Sequence, residues 1–78
     1  MVKIWFERDD DDMFAHIEST SGVLGHAAEV KRRIPSGTYL TMPSKFSRLT
    51  PWMIKKCGFA LRARVIHKGD IVEVLQKE

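Results

Sequence analysis

Two runs rich in branched and apolar side chains, residues 61–67 and 70–76, are separated only by Lys68-Gly69. A two-residue connection that contains glycine leaves room for little except a tight antiparallel hairpin. The register it imposes sets Val65 against Val72, Ala63 against Val74, Arg64 against Glu73 and His67 against Asp70. A lone hairpin is barely stable in water, so the rest of the chain must supply strands and helices that cover it.

The N-terminal end offers two more strands. Val2, Ile4 and Phe6 alternate with Lys3, Trp5 and Glu7, the period of a half-buried strand. Residues 13–18 form a second, and residues 8–12 read as the loop between them. The stretch Ser19-Thr20-Ser21-Gly22 breaks the pattern and offers helix N-caps. From Val23 onward, Val23, Ala27, Val30 and Ile34 fall on one helical stripe, with Lys31, Arg32 and Arg33 in the last turn. Pro35 ends that helix, because the residue before proline is pushed toward extended geometry. Residues 38–42 read as a third strand with Leu40 and Met42 on one face, and residues 43–48 as a polar loop.

The next segment has both its ends specified. Thr50 suits an N-cap, Pro51 the first helical position, and Leu49 a staple onto Ile54. Gly58 supplies a left-handed stop, and Phe59 beyond it is placed to meet Ile54. The expected order is therefore ββαβαββ. It describes a small α+β domain spanning residues 1–78, with a mainly antiparallel sheet of about five strands, one medium helix and one short one. At 44% hydrophobic and 29% charged residues the composition is that of an ordinary globular chain. Its apolar runs are far too short for a membrane span, and the first residues do not read as a signal peptide. One cysteine excludes an internal disulfide framework, and a cytoplasmic location is expected.

No motif here carries a chemistry. The four aspartates 9–12 lie in an extended stretch whose side chains diverge, and they lack the glycine and closing glutamate of a calcium loop. A solvated acidic loop is the expectation, and neither a metal nor a cofactor is. His16, His26 and His67 have no metal-ligand spacing. His67 is set to bond with Asp70, and His16 shares a strand face with Glu18. Cys57 ends a helix and reads as a small core residue. Gly22-Val23-Leu24-Gly25 is too short, and has no lysine, for a phosphate loop.

Charge is the broader signal. Residues 1–20 carry a net −4 and residues 21–78 a net +7, with eleven Lys and Arg in the latter part. Such asymmetry favours a polyanion on one side of the molecule. In the short helix Trp52, Lys55 and Lys56 share a side, and an aromatic beside lysines suits a stacked base with its phosphates. The expected nucleic-acid surface lies within residues 31–68 and uses Lys31, Arg32, Lys55, Lys56, Arg62 and Arg64, with Trp52 as the stack.

A second surface follows from the sheet. If Val2, Ile4, Phe6, Ala63, Val65, Val72 and Val74 face the core, the other side carries Trp5, Ile66, Ile71 and Leu75. Phe14 joins them if Met13, Ala15 and Ile17 point inward. That face is apolar enough for a protein partner or a second copy, with Trp5, Phe14, Ile66 and Ile71 as anchors and Asp10 and Asp11 as an acidic contact. A non-enzymatic binding module is therefore expected. Nucleic acid comes first as its target; a protein-interaction module that blocks or regulates a larger assembly is second. A small basic ribonuclease using His16, His67, Tyr39 and Arg62 stands third.

Overall fold

A computed structural model describes residues 2–19 and 22–78. The expected order of elements is present: strands β1 (Val2–Asp9) and β2 (Asp12–Ser19), helix α1 (Ala27–Arg33), strand β3 (Tyr39–Pro43), helix α2 (Thr50–Cys57), then β4 (Phe59–His67) and β5 (Asp70–Lys77). The strands form one sheet in the order β1-β2-β3-β5-β4. It is mainly antiparallel, as expected, and one parallel pairing makes it mixed. β1–β2, β3–β5 and β4–β5 are antiparallel, whereas β2 and β3 run parallel and pair only at Phe14 and Tyr39. Parallel neighbours need a long crossover, and the segment carrying α1 supplies it.

Both helices pack on one face of the sheet. Val30 and Ile34 of the α1 region join Met53 and Cys57 of α2, Leu40 and Met42 of β3, Phe59 and Leu75 in a single core, with Val2, Ile4 and Ala15 from the first hairpin. The result is the two-layer α+β arrangement.

The hairpin register is as expected: Ala63 pairs with Val74, Arg64 with Glu73, Val65 with Val72 and His67 with Asp70. Its faces are reversed. Leu75 is fully buried, while Val65, expected inside, is 44% exposed; on β1, Phe6 keeps the side of the buried Ile4, as expected, but is 41% exposed. Opposite Leu75, β4 carries a β-bulge between Leu61 and Ala63. A bulge adds one residue to one strand and so exchanges the faces beyond it. Leu61 thus faces the helices opposite Leu75, while Ala63 joins Val74 and Val72 on the uncovered side.

Several local expectations are corrected. The loop over 8–12 shrinks to a two-residue turn, Asp10-Asp11, with Asp10 at φ 56°. The first helix begins as a 3-10 turn, Leu24–His26, before becoming α-helical at Ala27. No side chain caps either part, and the expected caps at Thr20 and Ser21 lie outside the described residues. The polar loop before α2 is a 3-10 segment, Ser44–Leu49. Thr50 is not an N-cap; it is buried as the first residue of α2, and its hydroxyl donates to Glu73 Oε1 at 2.7 Å. Ile54 is exposed and Phe59 turns into the core.

Gly58 does end α2, at φ 80°, with its N–H donating to the carbonyl of Met53. A Cβ there would stand 3.3 Å from Lys77 Cε. The left-handed conformation alone disfavours a side chain by about 1–2 kcal/mol. Gly58→Ala is expected to lower the unfolding free energy by at least that amount in a urea titration, with an unchanged m-value.

Candidate binding surfaces: a split sheet and a basic helical layer

Beyond the Phe14–Tyr39 pair, β2 and β3 separate. A cleft of about 530 Å³ lies between them. Its walls include residues 15–19 of β2 and 40–43 of β3, taken consecutively rather than alternately. Side chains on a strand alternate between faces, so a wall made of consecutive residues is a strand edge. The cleft therefore passes through the sheet. Trp5, His16 and Thr41 line it from the uncovered face, and Phe46, Leu49, Trp52 and Met53 from the helical layer.

The closed end of the split is aromatic. The rings of Phe14 and Tyr39 lie 5.6 Å apart, and Trp5 stacks on His16 at 5.3 Å. His16 Nε2 stands 3.1 Å from Glu7 Oε1, across the β1–β2 pair, so its acidic neighbour is Glu7 and not Glu18. At the open end, Ser44 fixes the start of the 3-10 segment by bonding to Asp70: the hydroxyl donates to Oδ1 and the backbone N–H to Oδ2. Asp70 is thus committed to Ser44 and not to His67, as the sequence suggested. The Ser44 hydroxyl, foremost, holds the Asp70 carboxyl below its usual range.

The expected anchors fall in different places. Lys31 and Arg32 are exposed on α1, and Lys55 and Lys56 on α2. α1 and α2 pack on each other, so these four cations share the helical layer. Trp52 is half-buried against the core and lines the cleft. Arg62 is the bulged residue and Arg64 follows it on β4, and each meets an acid. Arg62 donates to Gln76 at 3.0 Å and lies 3.7 Å from Glu78; Arg64 pairs with Glu73 at 3.1 Å.

Trp5 and Phe14 are on the uncovered sheet face, by alternation from the buried Ile4 and Ala15. Ile66 and Ile71 pair across β4 and β5 and are 81% and 56% exposed. They sit near the β4–β5 turn, whereas Asp10 and Asp11 sit at the β1–β2 turn, at the opposite end of the strands. The six residues do not form one patch. His16 and His67 are likewise separated by β3 and β5, and Tyr39 is engaged with Phe14. Among the described residues, no three His, Cys, Asp or Glu side chains gather as a metal site would need.

Sequence reasoning missed Lys45, Phe46 and Arg48. The 3-10 segment places all three in exposed positions, with Lys45 Nζ 5.1 Å from the Phe46 ring. The available signal was the absence of any acid between Val30 and Gly69, a stretch holding ten Lys and Arg. Among the described residues, Lys31, Arg32, Lys45, Arg48, Lys55 and Lys56 make no ion pair with a carboxylate.

Comparison with protein-family models, with curated proteins and with solved structures finds no match. No helix is long and apolar enough to cross a membrane among the described residues.

Two titrations follow from these contacts. Replacing Ser44 by Ala should return the Asp70 carboxyl toward about 3.9 in a carboxyl-carbon NMR titration. The wild-type contribution is present above the unfolded value and is lost as the pH falls through the depressed folded one. Burial pushes the Cys57 thiol up to about 11, against the pull of Lys77 and Lys31. Iodoacetamide at mildly alkaline pH should spare Cys57 in the native protein and label it after unfolding. Stability should decline as the pH rises from the unfolded thiol's value of about 8.5 toward the folded one.

Proposed function

We propose that this protein is a non-enzymatic nucleic-acid-binding module that meets the phosphate backbone with its helical layer. The observation that carries the reading is the set of six exposed cations, Lys31, Arg32, Lys45, Arg48, Lys55 and Lys56, none within ion-pair distance of a carboxylate among the described residues, although Lys45 acts on Asp70 from farther off. The one acid within that layer, Glu29, is held 2.9 Å from Arg33. The acidic β1–β2 turn projects from the far hairpin. It would turn a polyanion toward the helices and away from the first two strands.

Lysines spaced along two packed helices suit phosphates, which confer affinity without sequence preference. Arg62 and Arg64 extend the same charge onto β4. An exposed ion pair such as Arg62–Glu78 contributes only about 0–1 kcal/mol, so a phosphate can compete for that guanidinium.

Fluorescence anisotropy with labelled single- and double-stranded oligonucleotides, at low and near-physiological salt, tests the reading. Saturable binding that weakens steeply with salt is expected. The double variant Lys55→Ala/Lys56→Ala should bind more weakly, and its salt slope should fall by about 1 for each lysine that meets a phosphate. No binding at low salt would overturn the proposal, and an unchanged slope would remove these lysines from it.

A further inference from the structure

Phosphate contacts on the helical layer leave the bases of a bound strand without a partner. Two aromatic side chains stand out from the surface among the described residues, Phe6 at 41% and Phe46 at 46% exposed. Their surroundings differ in charge. Phe6 precedes Glu7 on the acidic hairpin, whereas Phe46 lies between Lys45 and Arg48. Trp52, the ring expected from the sequence to stack, is half-buried and packed against the core.

The segment that carries Phe46 is built to hold it. In a 3-10 helix, residues three apart eclipse one another. Over Ser44–Leu49, Phe46 and Leu49 therefore share one side, and Lys45 and Arg48 the next. Leu49 packs against the core, while Phe46, one turn earlier on the same side, keeps much of its ring in solvent. Ser44 fixes the start of the segment through its two bonds to Asp70, and the buried Thr50 fixes the end through Glu73. Lys45 Nζ stands over the Phe46 ring, 5.1 Å from its centroid. Asp70 draws Lys45 from beyond ion-pair distance, and Arg48 meets no carboxylate, so neither cation is held in an ion pair among the described residues.

We propose that Phe46 stacks a base of single-stranded nucleic acid while Lys45 and Arg48 meet the phosphates beside it. This rests on the nucleic-acid reading above and adds the class of strand to it. Every base has a flat π face, so an aromatic ring among cations holds a single strand with little regard to sequence. In a duplex both faces of each base are covered by their neighbours, and Phe46 reaches only the backbone. The segment is anchored at both ends before binding, so little freedom is lost when the base stacks.

Fluorescence anisotropy on the full chain compares labelled oligothymidylate and oligouridylate with a labelled duplex of the same length. Phe46→Leu keeps an apolar side chain beside the core but removes the flat ring, and Phe46→Tyr keeps the ring. The leucine variant is expected to bind single strands about 5- to 150-fold more weakly, the range covered by one lost stack. Its duplex binding and its salt slope should not change, because no charge is removed. The tyrosine variant should bind single strands as the wild type does. In NMR spectra of the wild-type protein, the Phe46 ring protons should move upfield when the single strand is added and stay in place with the duplex. That measurement needs no variant to fold.

Unweakened single-strand binding by Phe46→Leu would overturn the proposal, as would an unshifted ring in the wild type. A loss shared equally with the duplex would assign Phe46 a structural role and overturn it too. In each of these cases salt-dependent binding through Lys55 and Lys56 still stands. Absence of binding by any oligonucleotide at low salt is the separate failure of the nucleic-acid reading, and this proposal falls with it.

Discussion

The last strand holds the rest of the molecule in place. β5 lies between β3 and β4, and Leu75 at its centre is buried against Leu40 on one side and Leu61 on the other. Its end is tied to every neighbouring element. Lys77 exchanges backbone bonds with the Gly37–Thr38 corner, and its ammonium donates to the carbonyl of Ile34 at 3.1 Å. The Glu78 N–H closes onto the Gly58 carbonyl. The ends of both helices and the start of β3 are thereby fixed by two residues at the C-terminus. The lysine is buried, and its hydrocarbon stem covers Gly58 while its charge meets an otherwise unsatisfied helix carbonyl.

The first hairpin is attached far more lightly. β2 meets β3 at one bridge, reinforced by the Phe14 and Tyr39 rings, and its other attachment is through Val2, Ile4 and Ala15 in the shared core. That weak lateral bond produces the split, and the split opens a cleft of about 530 Å³. Charge divides along the same line. Six of the ten acids lie on the lightly held hairpin, while the cations outside ion pairs lie on the helices and on the segment that borders the cleft.

Much of the fold was legible because short-range physics decided it. The Lys68-Gly69 turn, the left-handed Gly58, the proline-bounded helices and the burial of Leu40 and Met42 all follow from adjacent residues. The faces of β4 and β5 did not. Ile71, Val72, Val74 and Leu75 make both sides of β5 apolar, so alternation alone cannot choose between them. The choice is made by Leu40 across the ladder and by the bulge after Leu61, neither of which has a local signature. Thr50 and Asp70 show the same limit: each has a plausible neighbour in sequence, yet each bonds to a residue more than twenty positions away. The candidate site was legible only in part. The acid-free stretch announced the cations, but nothing in the chain announced the cleft.

By itself the sequence determined the elements, their order, the hairpin register and the separation of charge, because these depend on dihedral preference, periodicity and residue type. Tertiary structure alone decided which face of the C-terminal hairpin is covered, which polar groups pair, and that β2 and β3 touch once and then part. Those outcomes depend on bringing distant segments into one packed layer. There the loss of a few ladder bonds at the β2–β3 edge is offset by burial of Val2, Ile4 and Ala15 beneath the helices, an exchange that no local window of the chain contains.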